Sequence, residues 1–128
     1  MPNKIATKLV MIRKTDEFSS VFGFRKRFSG AFLIVHYRPN KTTSEVLSVR
    51  VGFVVAKKVA KLAVDRNYMR RVLRELCRQE LSVLNHVDVV IQVKKPFKSS
   101  NFLSLKQELA TLLDKIQHQV VLEKKTNE

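Results

Sequence analysis

The chain has 128 residues, 45% of them apolar, which suits one domain with a hydrophobic core. Its 25 lysines and arginines against 11 acidic residues give a formal net charge of +14, which predicts a polyanionic partner. The single cysteine, Cys77, excludes an internal disulfide, and no apolar run in the sequence is long enough to span a membrane.

The first predicted element is a helix over about residues 16–23, with Thr15 as its N-cap. Its apolar residues share one face: Phe18, Val21 and Phe22. A basic loop over residues 25–30 follows, and its charges leave open whether it contacts a substrate, another polyanionic partner or only solvent. Two β-branched and aromatic runs, residues 31–37 and 47–56, then predict strands that pair in an antiparallel manner. An extra short strand near residues 39–46 would fit between them.

Residues 57–78 contain the most informative pattern, which we call the arginine helix. At about 100° per residue, six polar side chains fall within an arc of roughly 140°. These six are Arg66, Asn67, Arg70, Arg71, Arg74 and Arg78. Apolar residues fill the opposite sector, namely Met69, Val72, Leu73 and Leu76. A solvated helix face usually mixes charge signs, whereas a rigid row of guanidinium groups is typical of phosphate binding.

The last predicted elements are a strand over residues 87–93 and a helix that begins at a capping box formed by Ser104 and Gln107. The element order is therefore α-β-β-(β)-α-β-α. It predicts an α+β protein, a single-domain α/β sandwich with helices packed on a small mixed β-sheet whose other side is left open for a ligand. We expect one domain over residues 1–128, ordered from about residue 9 to about residue 121, with short basic or polar ends.

Three stretches together resemble the bacterial ribonuclease P protein subunit. They are KTDEFSSVF near the start, VGFVVAKKVAKLAVDRNYMRRVLRELCR over residues 51–78, and VDVVIQVKKP over residues 87–96. The resemblance extends over about residues 9–113. One position departs from the family pattern, because Tyr68 stands where a second arginine usually follows the asparagine.

The resemblance implies an accessory subunit of a ribonucleoprotein endoribonuclease that removes the 5′ leader of precursor tRNA. The RNA subunit carries the catalysis, and Mg²⁺ is held through the RNA and the substrate phosphates rather than at a dedicated protein site. The implied partners are ribonuclease P RNA and precursor tRNA, with no membrane and no obligate protein partner, in the cytoplasm. The residues agree with this: His36, His86 and His118 are isolated, and no metal-ligand or catalytic motif is present in the sequence.

The expected contacts with the catalytic RNA are Lys57, Lys58, Lys61, Arg66, Asn67, Arg70, Arg71, Arg74 and Arg78. Asn67 has the alternative role of bracing its own helical turn. By resemblance, the leader binds in a cleft between the first helix and the sheet, at Phe18 and Phe22 with His36 or Tyr37 beside them. Phe18 and Phe22 are equally compatible with a place in the core.

Rival functions share the basic charge. A ribosomal or other structural RNA-binding protein would have the same composition without this combination of motifs. A DNA-binding transcription factor would need a second helix to position the basic one, whereas here a strand leads into it. A membrane-surface helix would need its apolar side for lipid, and in this chain that side is required for the core.

Overall fold

The computed structural model describes residues 8–12, 14–39, 48–80 and 87–126. Over these residues the elements are β1 Lys8–Met11, α1 Thr15–Phe24, β2 Lys26–Ser29, β3 Leu33–Pro39, β4 Ser48–Val54, α2 Ala63–Glu80, β5 Val87–Val93 and α3 Phe102–Thr126. A short 3₁₀ turn, Ser99–Asn101, leads into α3. The predicted α+β class with a mixed sheet is confirmed, and β1 and β2 are strands that the sequence patterns did not predict.

The five strands form one sheet in the order β1-β4-β5-β3-β2. β4 runs parallel to both β1 and β5, and β3 runs antiparallel to both β5 and β2. The antiparallel pairing predicted for residues 31–37 and 47–56 is therefore wrong, because β5 lies between β3 and β4. α2 connects β4 to β5 as the crossover that parallel neighbours require. The optional strand near residues 39–46 falls almost entirely outside the described residues.

The sheet is covered on both faces, because successive side chains of a strand point to opposite sides. On one face, the odd-numbered residues of β3, β4 and β5 pack against α2 and α3 in the main core, with Leu33, Val51 and Ile91 among them. On the other face, Val90 packs with Val21 of α1 in a second, smaller cluster. The face that the sequence suggested was open for a ligand is thus partly covered by α1.

A close approach and an ion network hold α1 on its face. The Phe18 ring lies so near Gly52 of β4 that a Cβ built there would be 2.5 Å from the ring carbon Cε1. Beside it, Arg50 of β4 donates two hydrogen bonds to Asp88 of β5, Nε to Oδ1 at 3.0 Å and Nη2 to Oδ2 at 2.7 Å. The remaining Nη1 donates to Glu17 Oε2 of α1 at 2.6 Å. These contacts join one helix and two strands.

The starts of α1 and α3 differ from the predictions. Thr15 is the first residue of α1 rather than its N-cap; the N-cap is Lys14, whose backbone N–H donates to Glu17 Oε1 at 3.3 Å. Ser104 lies inside α3, which begins at Phe102. The turn before α3 is closed instead by Asn101, whose side-chain Oδ1 accepts from the Lys98 N–H at 3.0 Å. In both places a polar side chain three residues into the turn satisfies the free N–H group.

Glu108 of α3 fixes the connection between β2 and β3. Its carboxylate accepts from the backbone N–H groups of Ala31 at 3.0 Å, Phe32 at 2.9 Å and Leu33 at 2.7 Å. A Cβ at Gly30 would be 2.5 Å from this carboxylate, so the glycine allows the close approach. The edge strand β2 is thereby held in a defined position.

The position of α1 predicts opposite effects for two glycine-to-alanine changes. Gly52→Ala places a methyl group against the Phe18 ring and should lower the free energy of unfolding by about 1 to 3 kcal/mol. Gly23→Ala, in α1 with nothing within 4 Å of a built Cβ, should raise it by about 0.4 to 1 kcal/mol. Urea unfolding of both variants measures the difference. Equal stabilities would show that Phe18 does not lie against β4.

Candidate nucleic-acid interface

The arginine helix is α2, and its core side is the expected one extended by Cys77, since Val72 also packs against the main core. Met69, Leu73, Leu76 and Cys77 are buried, so the core side includes Cys77 and extends to the edge of the arginine row. Burial, followed by the nearby Glu80 charge, raises the pKa of the Cys77 thiol to about 12. The thiol is therefore protonated at neutral pH and acts as a small apolar core residue.

Two arginines of the row, Arg66 and Arg70, make contacts within the protein. Arg66 Nη1 donates to the backbone carbonyls of Ala60 and Lys61, both at 2.9 Å, and so braces the turn before α2. Arg70 Nη1 donates to Asn67 Oδ1 at 3.0 Å. Asn67 thus accepts a bond from its own helix, which is the bracing role left open above, while the residue itself is exposed.

The remaining arginines are exposed. Arg71 and Arg74 project from α2, and Arg78 lies 3.9 Å from Glu75 in a surface ion pair. Such a pair contributes little to stability and does not occupy the guanidinium group. The exposed basic residues of α2 and of the turn before it form what we call the basic band: Lys57, Lys58, Lys61, Arg71, Arg74 and Arg78. Tyr68, at the departure from the family pattern, is also exposed.

On the opposite face of the sheet, α1 and β3 form a second candidate surface, the α1 cleft. The Phe22 ring meets the His36 ring edge-on, with 4.5 Å between centroids and 70° between planes. Phe22 is still 36% exposed, so one side of its ring is accessible. His36 Nε2 lies 2.8 Å from Gln92 Oε1 of β5.

The His36 ring is uncharged at neutral pH. Burial lowers its pKa below the usual value, the hydrogen bond to Gln92 opposes this effect, and the Arg27 charge lowers the pKa further. Since the Gln92 oxygen can only accept, Nε2 carries the proton and donates it. The pair of Phe22 and neutral His36 is therefore an aromatic surface without a charge of its own.

The four residues expected at the leader site separate into three groups. Phe22 and His36 lie together in the α1 cleft. Phe18 is half-buried and packs with Ile12, Val21 and Val90 beneath the cleft. Tyr37 is only 1% exposed, points to the other face of the sheet, and stacks on Phe28 with 5.9 Å between centroids. Its assignment to the cleft is wrong, because the alternation that directs His36 toward α1 directs Tyr37 into the main core.

Sequence reasoning missed the ion network and Gln92. Asp88 lies within β5, where it pairs with Arg50. A signal existed, since Asp88 interrupts an apolar strand and Arg50 places a charge on the polar side of an alternating one. The two Asp88 hydrogen bonds, the neighbouring carboxylates and the ion pair with Glu17 together raise the pKa of the Arg50 guanidinium. Their partnership required the parallel register of β4 and β5, which brings Arg50 opposite Asp88.

The part of the chain that the structure describes contains neither a cluster of metal-ligating side chains nor a membrane-spanning helix. Within those ranges, no three histidine, cysteine or acidic side chains come together in a group able to hold a metal ion. No helix there combines the length and apolar character needed to cross a membrane.

Comparison with known proteins identifies the family. The family model described as Ribonuclease P matches residues 7–117. A ribonuclease P protein component from Aromatoleum aromaticum is 43% identical over 102 residues, which cover 80% of this chain and 82% of the relative. One from Chromobacterium violaceum is 50% identical over 84 residues, 66% of each chain.

Solved structures agree with this match. The ribonuclease P protein of Staphylococcus aureus superposes with a TM-score of 0.71 at 25% identity, covering 85% of this chain and 96% of that one. The Thermotoga maritima protein shares the fold, with a TM-score of 0.67 at 23% identity, covering 82% of this chain and 96% of that one. On the strength of the family match and the relatives, the chain belongs to the ribonuclease P protein family, the protein component of an RNA-containing enzyme that processes tRNA.

Proposed function

We propose that this chain assists a catalytic RNA in removing the 5′ leader of precursor tRNA by binding both RNAs. α2 binds the ribonuclease P RNA, and the α1 cleft binds the single-stranded leader. The observation that carries the proposal is the accessible Phe22 ring on the neutral His36, in a chain that belongs to this family.

The catalytic RNA side of the proposal rests on the basic band. Arg71 and Arg74 are exposed on a helix whose other side is anchored in the core, so their guanidinium groups are available on a rigid frame. Guanidinium groups bind phosphate oxygens in pairs of hydrogen bonds, which favours arginine over lysine for this contact. Lys57, Lys58 and Lys61 extend the band through the turn before α2. Arg66 and Arg70 contribute mainly by holding this turn and Asn67 in place.

The leader side of the proposal rests on aromatic stacking. Every base has a π-face, so a ring such as Phe22 binds single strands with little sequence preference. That tolerance suits an enzyme that processes many different leaders. The proposal assigns no catalytic role to a protein side chain. Mg²⁺ is held by oxygen atoms of the RNA and the substrate, and the protein acts in the cytoplasm by positioning the leader and relieving phosphate repulsion.

Salt dependence tests the contact with the catalytic RNA. Arg71→Ala combined with Arg74→Ala should reduce the slope of log affinity against log salt by roughly 0.7 to 0.9 for each phosphate that is no longer neutralised. Filter binding of ribonuclease P RNA across a salt series measures the slope. The control is Lys98→Ala with Lys115→Ala, which removes the same charge from exposed residues outside the basic band. Equal slopes for the two double variants would move RNA binding off α2.

Two phenylalanine variants distinguish a ring that binds the leader in the cleft from a ring that stabilises the core below it. Phe22→Ala should weaken leader binding by roughly 1 to 3 kcal/mol with little loss of stability. Phe18→Ala should instead cost about 3 to 5 kcal/mol of folding free energy, because its ring packs on Gly52 and Val90. Thermal melts and leader-length titrations are run on both variants. A stable Phe22→Ala protein with unchanged leader dependence would reject the stacking role.

Reconstituted cleavage tests the whole proposal. Protein freed of RNA should cleave nothing, whereas added to bacterial ribonuclease P RNA at moderate Mg²⁺ it should stimulate leader removal. The benefit should shrink when the leader is trimmed to one or two nucleotides, and high Mg²⁺ should partly replace the protein, since both relieve phosphate repulsion. Leader cleavage by the RNA-free protein would overturn the division of roles. Stimulation that ignores leader length would remove the leader from the cleft.

A further inference from the structure

We propose that Arg27 of the edge strand β2 binds a phosphate of the leader, extending the α1 cleft across β3 to the edge of the sheet. The inference rests on the proposed function and adds to it the residue that holds the leader backbone.

The strand register places Arg27 on the same face of the sheet as His36. β2 and β3 are antiparallel, and Arg27 lies directly opposite His36. Residues directly opposite each other in such a pair project to the same face. Arg27 and His36 are therefore on the α1 side. The neighbouring Lys26 and Phe28 project to the other side, as the stacking of Phe28 on the buried Tyr37 shows independently.

The second step is that β2 is held firmly in place. At the end of the strand, Lys94 Nζ donates to Ser29 Oγ and to the Gly30 carbonyl, both at 3.1 Å. The Glu108 carboxylate binds the backbone that immediately follows. Arg27 thus extends from a fixed strand rather than from a free loop, which lowers the entropy cost of placing its guanidinium on a ligand.

The charge of the Arg27 guanidinium is the third feature that favours a phosphate ligand. Arg27 is exposed and forms no ion pair with any residue in the described ranges. The carboxylates of Glu17 and Asp88, on the α1 face, are both bound to Arg50. The Arg27 charge nevertheless acts on the His36 ring, which indicates that the two side chains are close. The cleft therefore combines an accessible aromatic ring with a guanidinium group that pairs with no carboxylate of the described residues.

These features fit one class of ligand. Phe22 lies against His36 of β3, and Arg27 is opposite His36 on the adjacent strand, about 4.8 Å away. A base stacked on Phe22 therefore places its own or the next phosphate within reach of Arg27. A single-stranded nucleic acid offers a π-face and an anion at this separation along its whole length. An acidic peptide would supply the anion but would leave the aromatic ring unused.

The test compares Arg27→Ala with Lys26→Ala in the holoenzyme assembled with ribonuclease P RNA. Both variants lose one positive charge from the same strand, but only Arg27 faces the cleft. For precursor tRNA with a leader of several nucleotides, Arg27→Ala should weaken affinity about tenfold, and Lys26→Ala should have much less effect. With a one-nucleotide leader, both variants should match the unmodified protein.

Leaders carrying one neutral methylphosphonate at a time then identify the ligand group. At one position the substitution should weaken binding to the unmodified protein yet have no further effect on Arg27→Ala, because both changes remove the same interaction. The assignment would be overturned if Arg27→Ala and Lys26→Ala lost the same affinity for the long leader, or if the loss of Arg27→Ala persisted with the one-nucleotide leader. It would also be overturned if the affinity losses from Arg27→Ala and from the methylphosphonate were additive at every position. If the unmodified holoenzyme shows no leader dependence, the proposed function itself fails, which is a distinguishable result. Arg27→Gln replaces Arg27→Ala if the alanine variant melts at a lower temperature.

Discussion

The attachment of α1 to the sheet is the constraint on which the cleft depends. Arg50 binds Asp88 with two hydrogen bonds and Glu17 with a third, so one side chain joins β4, β5 and α1. Asp88 is almost fully buried, and a buried carboxylate without its arginine would be strongly destabilising. Gly52 lets the Phe18 ring approach the sheet beside this network. Together they set the distance of α1 from β3, and hence the contact of Phe22 with His36. A helix attached only by apolar contacts would be less precisely placed.

Local patterns predicted the elements with strong periodicity and failed where pairing is long-range. β5 was located at its actual bounds, because its apolar run is short, continuous and followed by Lys94. The predicted pairing of residues 31–37 with residues 47–56 was wrong, since no local pattern indicates that β5 inserts between β3 and β4. β1 and β2 have four residues each at the edges of the sheet, too short for an alternation to be recognised. Edge strands are also more polar than central ones, which makes β2 look like a basic loop.

Among the functional residues too, local patterns predicted some positions, and others depended on contacts between distant parts of the chain. A helical wheel separated arginines from apolar residues on α2, but it could not show that Arg66 bonds to the turn before the helix. Phe18 and Phe22 share a helix face in the sequence, and only the presence of Gly52 beneath one and His36 beside the other distinguishes them. Tyr37 was misplaced because residue type alone does not reveal to which face a strand residue points. Arg27 became interpretable only once its partner across the strand pair was known.

The two candidate surfaces lie on helices that cover opposite faces of one sheet, and this arrangement has a mechanical consequence. α2 and α3 share the main core with β3, β4 and β5, so the basic band and the α1 cleft are connected through closely packed side chains. Protein interiors of this density transmit displacement rather than absorb it. Under the proposed function, a leader at Phe22 would therefore lie at a defined distance from an RNA bound to α2. The protein would then act as a rigid spacer between two polyanions, and its net charge of +14 would offset the repulsion that otherwise separates them.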